Sequence, residues 1–110
     1  MLGALPDSPR ILDLGCGPGA QTLELLRLSA GSGVAVDFLP EMIDRLAQDA
    51  GNAGFSDRLE ARVEDMNNMS FPLGSFDIIW SEAAIYNMGF ENGLQQLKAL
   101  LRPGGFLVVS

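Results

Sequence analysis

The sequence predicts an α/β domain built on a doubly wound parallel sheet. Short apolar runs alternate along the chain with segments whose apolar residues recur at helical spacing, the pattern of repeated strand–helix–strand units. Two of the runs, FDIIW at 76–80 and FLVVS at 106–110, have lost most of the polar alternation of a half-exposed strand, as strands buried on both faces do. The run at 10–14 leads directly into a glycine-rich loop, Gly15-Cys16-Gly17-Pro18-Gly19-Ala20, that opens a helix.

The predicted strands are residues 10–14, 33–37, 59–63, 76–80 and 106–110. Three helices lie between them. The first covers 18–29, with Leu23, Leu26 and Ala30 near one face. The second starts at Pro40, a favourable first-turn position, and repeats Met42, Ile43, Leu46, Ala47 and Ala50. The third covers 91–101, spaces Leu94, Leu97, Leu100 and Leu101, and stops at Arg102-Pro103-Gly104-Gly105. Residues 66–75 and 82–90 read as irregular, and the chain holds no internal repeat.

Composition narrows the function classes. At 110 residues the chain is one domain, near the low end for an independent core, and 47% hydrophobic residues suit buried strands. Seven Lys and Arg against fourteen Asp and Glu leave a net charge of -7, which argues against a nucleic-acid partner. One cysteine and no histidine exclude an intrachain disulfide, a His-based triad and a zinc site built from this chain. No apolar run approaches the ~18 residues of a membrane span and no signal peptide is evident, so the expectation is a cytoplasmic protein without a membrane partner. The chain begins about ten residues before its first predicted strand and ends inside its fifth. An apolar edge strand is an aggregation hazard that complete domains cover. Residues 1–110 therefore read as a cofactor-binding core truncated after the fifth strand and incomplete at both ends, with an edge through which two copies could pair.

The glycine loop alone does not choose its ligand. Glycine permits a tight turn and close approach of backbone amides to a ligand, and GCGPGA also satisfies the dinucleotide fingerprint G-x-G-x-x-G/A. Asp13, two residues before Gly15, would repel a pyrophosphate at the helix N-terminus and suits a ligand carrying ammonium and sulfonium groups. Asp37, ending the second strand, can accept both hydroxyls of a ribose, a contact common to NAD and to S-adenosylmethionine. Asp65, just after the third strand, is placed to accept from an adenine amino group, with Glu64 beside it as the competing carboxylate.

In that order and spacing, ILDLGCGPGAQT, VAVDFLPEMI, VEDM, FPLGSFDIIWSEAAIY and LLRPGGFLVVS resemble class I S-adenosylmethionine-dependent methyltransferases, most of all the small-molecule branch of ubiquinone- and sterol-type enzymes. The resemblance covers residues 10–110 and implies a Rossmann-like sheet of strand order 3-2-1-4-5 with S-adenosylmethionine at the carboxyl ends of its strands. By that similarity Asp13 and the backbone of Gly15, Cys16 and Gly17 would sit by the methionine end of the cofactor. Asp37 would hold the ribose and Phe38 flank the adenine. Asp65 would take the adenine amino group, the Met66 amide a ring nitrogen, and the backbone at Ser81 would face the methionine again.

Other residues carry weaker signals. Cys16 reads as a small residue packed in the loop, with no base near it in sequence to make it a nucleophile. Glu82, Tyr86 and Asn87 follow the fourth strand, where the family lines its acceptor pocket. If the acceptor must lose a proton, Glu82 and Tyr86 are the candidate bases. Trp80 reads as core, Asp77 as structural, and Pro103-Gly104-Gly105 as a turn positioning the fifth strand. The expected function is methyl transfer to a small-molecule acceptor. An NAD-dependent oxidoreductase and a non-catalytic interaction domain of the same fold are the alternatives.

Overall fold

The computed structural model describes residues 8–14, 20–64, 71–81 and 90–109. Among these the elements run β1 (Arg10–Leu14), α1 (Ala20–Arg27), β2 (Ser32–Asp37), α2 (Pro40–Asn52), β3 (Leu59–Val63), β4 (Phe76–Ser81), α3 (Phe90–Leu100) and β5 (Leu101–Val109). The strands form one parallel sheet of order β3-β2-β1-β4-β5, the doubly wound arrangement predicted above. The chain works outward from β1 to β3 and then returns to the far side of β1, so the winding reverses between β1 and β4.

Register distributes the core over two faces. Leu12 aligns with Val34 and Ile79, and Leu14 with Val36 and Ser81. The apolar members of this face pack with Phe76 and with Leu97 and Leu100 of α3. On the opposite face Ala35 packs with Ile43 and Leu46 of α2, with Leu23 of α1 and with Leu59 and Ala61 of β3. The spacing that predicted α2 is the spacing that buries it, since Ile43, Leu46 and Ala50 fall on one side. Pro40 begins this helix after an extended Leu39, and Gly54 closes its exit at a φ of 81°, where a left-handed residue is needed.

Arg58 fastens the two connections on the α1/α2 side. Its guanidinium donates to the carbonyls of Leu26 and Ser29 at 2.7 Å and of Gly31 at 2.9 Å, capping the exposed end of α1 from a residue far along the chain. Gly31 has no room for a side chain there, because a Cβ would lie 2.2 Å from the Pro9 carbonyl oxygen.

Two expectations about the fifth strand are corrected. Sequence placed its start at 106 and its residues in a doubly buried position. The strand begins at Leu101, paired with Phe76, and the pairing resumes at Phe106 opposite Ile78. Residues 102–105 bulge out opposite Asp77, because Pro103 cannot donate to a ladder and Gly104 takes a φ of 85°. The helix-stop signal was real, but it marks a bulge inside a strand. As the outer strand of the sheet β5 is half-buried, with Val108 exposed. Trp80, expected in the core, is likewise half-buried. Among the described residues no helix is long and apolar enough to cross a membrane.

Asp77 joins the ends of three strands. Its Oδ2 accepts the Arg10 backbone N–H at 2.7 Å, and its Oδ1 meets the Arg102 guanidinium in an ion pair. The carboxylate is buried and Arg102 is one-third exposed, so the pair is partly screened. Replacing Asp77 by alanine takes the acceptor from the Arg10 N–H and the carboxylate from the ion pair with Arg102. The expected outcome is a loss of about 2–3 kcal/mol, read as a lower urea midpoint at unchanged slope.

Candidate functional site

The carboxyl ends of β1, β2, β3 and β4 all open on the same edge of the sheet, where the reversal of winding parts the flanking connections. In an open α/β sheet this is the crevice that holds ligands. Leu14, Val36 and Ser81 form its floor in register, with Asp37 one residue further along β2 and paired with Val63 of β3. β2 and β4 are two strand spacings apart, about 10 Å, a width suited to a nucleoside.

Asp37 is buried at the rim of this crevice. Its Oδ1 accepts the backbone N–H of Leu39 at 3.0 Å, turning the chain from β2 into α2, while its own carbonyl accepts the Glu64 N–H at 3.1 Å. The carboxylate is thus oriented by the backbone that follows it, at the exit of β2. Phe38, next to it, has 61% of its surface in water, and Val63 across the register has 49%. Two apolar groups exposed at adjacent strand ends beside a fixed carboxylate suit a flat base attached to a diol. The sequence reading did not single out Val63; its place as the last residue of β3 was the available signal.

Asp13 is buried on β1, paired in register with Ala35 and Trp80. Ser81, fully buried at the end of β4, has a hydroxyl without a hydrogen-bond partner among the described residues. An unpaired buried hydroxyl is costly, about 1–3 kcal/mol, and here it stands at the mouth of the crevice. Glu64, the carboxylate that competed with Asp65, is engaged by Arg62 Nη1 at 3.0 Å. Gly15, Cys16, Gly17, Asp65, Met66, Glu82, Tyr86 and Asn87 lie outside the described residues. Asp13, Asp37, Phe38 and Ser81 are therefore the predicted site residues that the structure places, two of them on β1 and β4 and two at the exit of β2.

Comparison with known proteins agrees with this geometry. A sterol 24-C-methyltransferase of Gibberella zeae is 28% identical over 91% of this chain. A 2-methyl-6-phytyl-1,4-hydroquinone methyltransferase of Synechocystis sp. is 31% identical over 99% of it. The chain spans 27% and 34% of the length of these relatives. The crystal structure of geranyl diphosphate C-methyltransferase from Streptomyces coelicolor, solved with Mg2+, geranyl diphosphate and S-adenosyl-L-homocysteine, superposes with a TM-score of 0.87 at 19% identity. It covers 98% of this chain and 41% of its own, and at that identity it shows the shared fold. The family model described as a methyltransferase domain matches residues 11–105, and the chain belongs to that family.

Proposed function

We propose that this chain binds S-adenosylmethionine in the crevice above β1, β2 and β4 and serves methyl transfer to a small-molecule acceptor. The observation that carries the reading is the buried, oriented carboxylate of Asp37 beside the exposed ring of Phe38, at the strand ends of a methyltransferase-family sheet. The fit is chemical as well as geometric. A fixed carboxylate suits a ribose diol, and an exposed ring suits a purine face. A buried hydroxyl without a partner suits a polar ligand atom. The small-molecule acceptor is proposed from the relatives, which are named for methylating a sterol and a hydroquinone. The dinucleotide and interaction-domain alternatives gain no support from the family match.

Residue roles follow within this reading. Asp37 accepts from the ribose hydroxyls while its bond to Leu39 N–H keeps it from rotating. Phe38 covers one face of the adenine. Asp13 and the backbone of Gly15, Cys16 and Gly17 receive the methionine end, together with Ser81. Glu64 is already committed to Arg62, which favours Asp65 for the adenine amino group and the Met66 amide for a ring nitrogen. The sulfonium, when bound, supplies an electrophilic methyl already activated for in-line displacement. The chain's own task is to align and to exclude water. Where an acceptor must lose a proton, the candidate bases are Glu82, Tyr86 or a residue outside this chain. A cytoplasmic setting and pairing of two copies through an edge strand belong to the same reading.

Calorimetry with S-adenosylhomocysteine and with NAD tests the cofactor. Binding of the former alone is expected, and binding of NAD alone would refute the proposal. Asp37→Asn keeps an oxygen for the Leu39 N–H but gives up the charge. It should weaken S-adenosylhomocysteine by about 1.5–3 kcal/mol with little change in melting temperature. Ser81→Ala removes a hydroxyl that has no hydrogen-bond partner among the described residues. Its melting temperature should stay level or rise, while the affinity falls by about 1 kcal/mol. A loss of stability without loss of affinity would reverse the assignment of Ser81.

A further inference from the structure

β3 is an outer strand of the sheet, paired on one side only, with β2. The carbonyl of Arg58 accepts the Gly33 N–H at 2.8 Å, and the Glu64 N–H donates to the Asp37 carbonyl at 3.1 Å. Backbone groups alternate in direction along a strand, so the even-numbered residues of β3 address β2 and the odd-numbered ones point away from the sheet. The Leu59 N–H is taken by the Phe55 carbonyl at 3.1 Å. The Leu59 carbonyl and both backbone groups of Ala61 and Val63 have no backbone partner among the described residues. Such an edge is a template for a further strand.

The side chains make this edge selective. Leu59 and Ala61 turn to the α2 side, with Val63 two residues on, which leaves Glu60 and Arg62 for the other face. There the Arg62 guanidinium carbon lies 5.0 Å from the centroid of the Phe71 ring, with Nη1 3.0 Å from Glu64 Oε2 and Nε 2.5 Å from Glu60 Oε2. One face of the strand thus reads negative, positive, negative, and the other is apolar. An arbitrary strand laid on this edge would meet charges it does not match. A second copy of β3 running the opposite way matches them. With a two-fold axis at Ala61, Glu60 stands opposite the partner's Arg62 and Arg62 opposite the partner's Glu60. These are the closer, non-hydrogen-bonded positions of an antiparallel ladder, about 4.5 Å between Cα atoms. Ala61 exchanges both its bonds with the partner's Ala61, and the Val63 N–H reaches the partner's Leu59 carbonyl. Moving the axis by one residue sets Glu60 or Arg62 against its own copy.

The apolar face favours the same register. Val63 has 49% of its surface in water. A groove of about 320 Å3 opens between α2 and β3, lined by Ile43, Ala47, Ala50, Leu59 and Ala61. Pairing about Ala61 sets the partner's Val63 beside Leu59 at this groove. The inner flank of Val63 stays next to Asp37. β5, the other outer strand, carries no charge beyond Arg102 with which to choose a register.

We infer that two copies of this chain pair through β3, antiparallel about a two-fold axis at Ala61, into one continuous sheet. This rests on the pairing of two copies proposed above and gives it a strand and a register; it requires nothing of the cofactor.

Sedimentation velocity over a concentration series reads the pairing, and the wild-type chain should show a monomer–dimer equilibrium. Glu60→Arg makes positions 60 and 62 both positive, and Arg62→Glu makes them both negative. Each variant alone should associate about tenfold more weakly than wild type, because like charges then face each other twice across the axis. Mixed in equal amounts they should associate again, since the positive pair of one faces the negative pair of the other. A mixture that stays monomeric overturns the register. Ala61→Pro removes the N–H at the axis, which makes no bond among the described residues, and should give a monomer with a melting temperature near that of wild type. It carries the test if either charge variant does not fold. A wild type that is monomeric throughout, or a dimer that survives Ala61→Pro, overturns the inference. Calorimetry with S-adenosylhomocysteine keeps the cofactor apart from this result. A monomeric wild type that binds it overturns the pairing alone, and a dimeric wild type that does not bind it overturns the cofactor reading alone.

Discussion

The sheet is organised around one buried carboxylate. Asp77 takes the first N–H of β1 and the guanidinium that follows the first residue of β5, while its own strand runs between them. Parallel strands have no hairpins to set their register, so something other than a turn must fix where β1, β4 and β5 begin relative to one another. Asp77 does this at the amino ends of the strands. Gly105 completes the fit, since a Cβ there would lie 2.9 Å from the Asp77 carbonyl oxygen. With the amino ends aligned, the carboxyl ends form an even rim on which Leu14 and Ser81 sit side by side.

The rim then inherits its chemistry from what each strand does as it leaves the sheet. β2 leaves through Asp37, whose side chain turns the backbone into α2. β3 leaves through Glu64, which Arg62 draws to the far face. β4 ends on a hydroxyl that has no hydrogen-bond partner among the described residues. Only at the exit of β2 does one side chain both turn the backbone and stand at the rim of the crevice.

Most of this architecture was legible in the sequence because local signals and burial agreed. The strands at 10–14 and 59–63 were read to the residue, and α2 was announced by Pro40 and the spacing of Ile43, Leu46 and Ala50. The fifth strand was misread where two signals competed. Leu100, Leu101 and the following Pro-Gly-Gly describe a helix end, whereas Leu101 already pairs with Phe76. Only the neighbouring strand, with Asp77 opposite the bulge, shows that the interruption lies within a ladder. Exposure of β5 could not be read locally either, because it depends on which strand the winding places outermost. For the candidate site, the positions of Asp13, Asp37 and Ser81 at or near strand ends were legible, because they follow from the strands themselves. The contact of Arg62 with Phe71 was not, since it forms only through the third dimension.

The bond between Asp37 and Leu39 N–H has a consequence for how this scaffold can change. A carboxylate free to swing could be lengthened, shortened or traded for an amide as ligand preference drifts. Here Oδ1 also accepts the Leu39 N–H at the turn into α2, so an exchange that withdraws that oxygen also releases the turn. Glutamate would move the charge outward by one methylene and release the turn. Serine would keep an oxygen for the turn and forfeit the carboxylate proposed to hold the ribose. Phe38, the ring proposed to cover the adenine, carries no such double duty, since it is largely in water. Drift in nucleoside preference is therefore steered towards the base and away from the sugar.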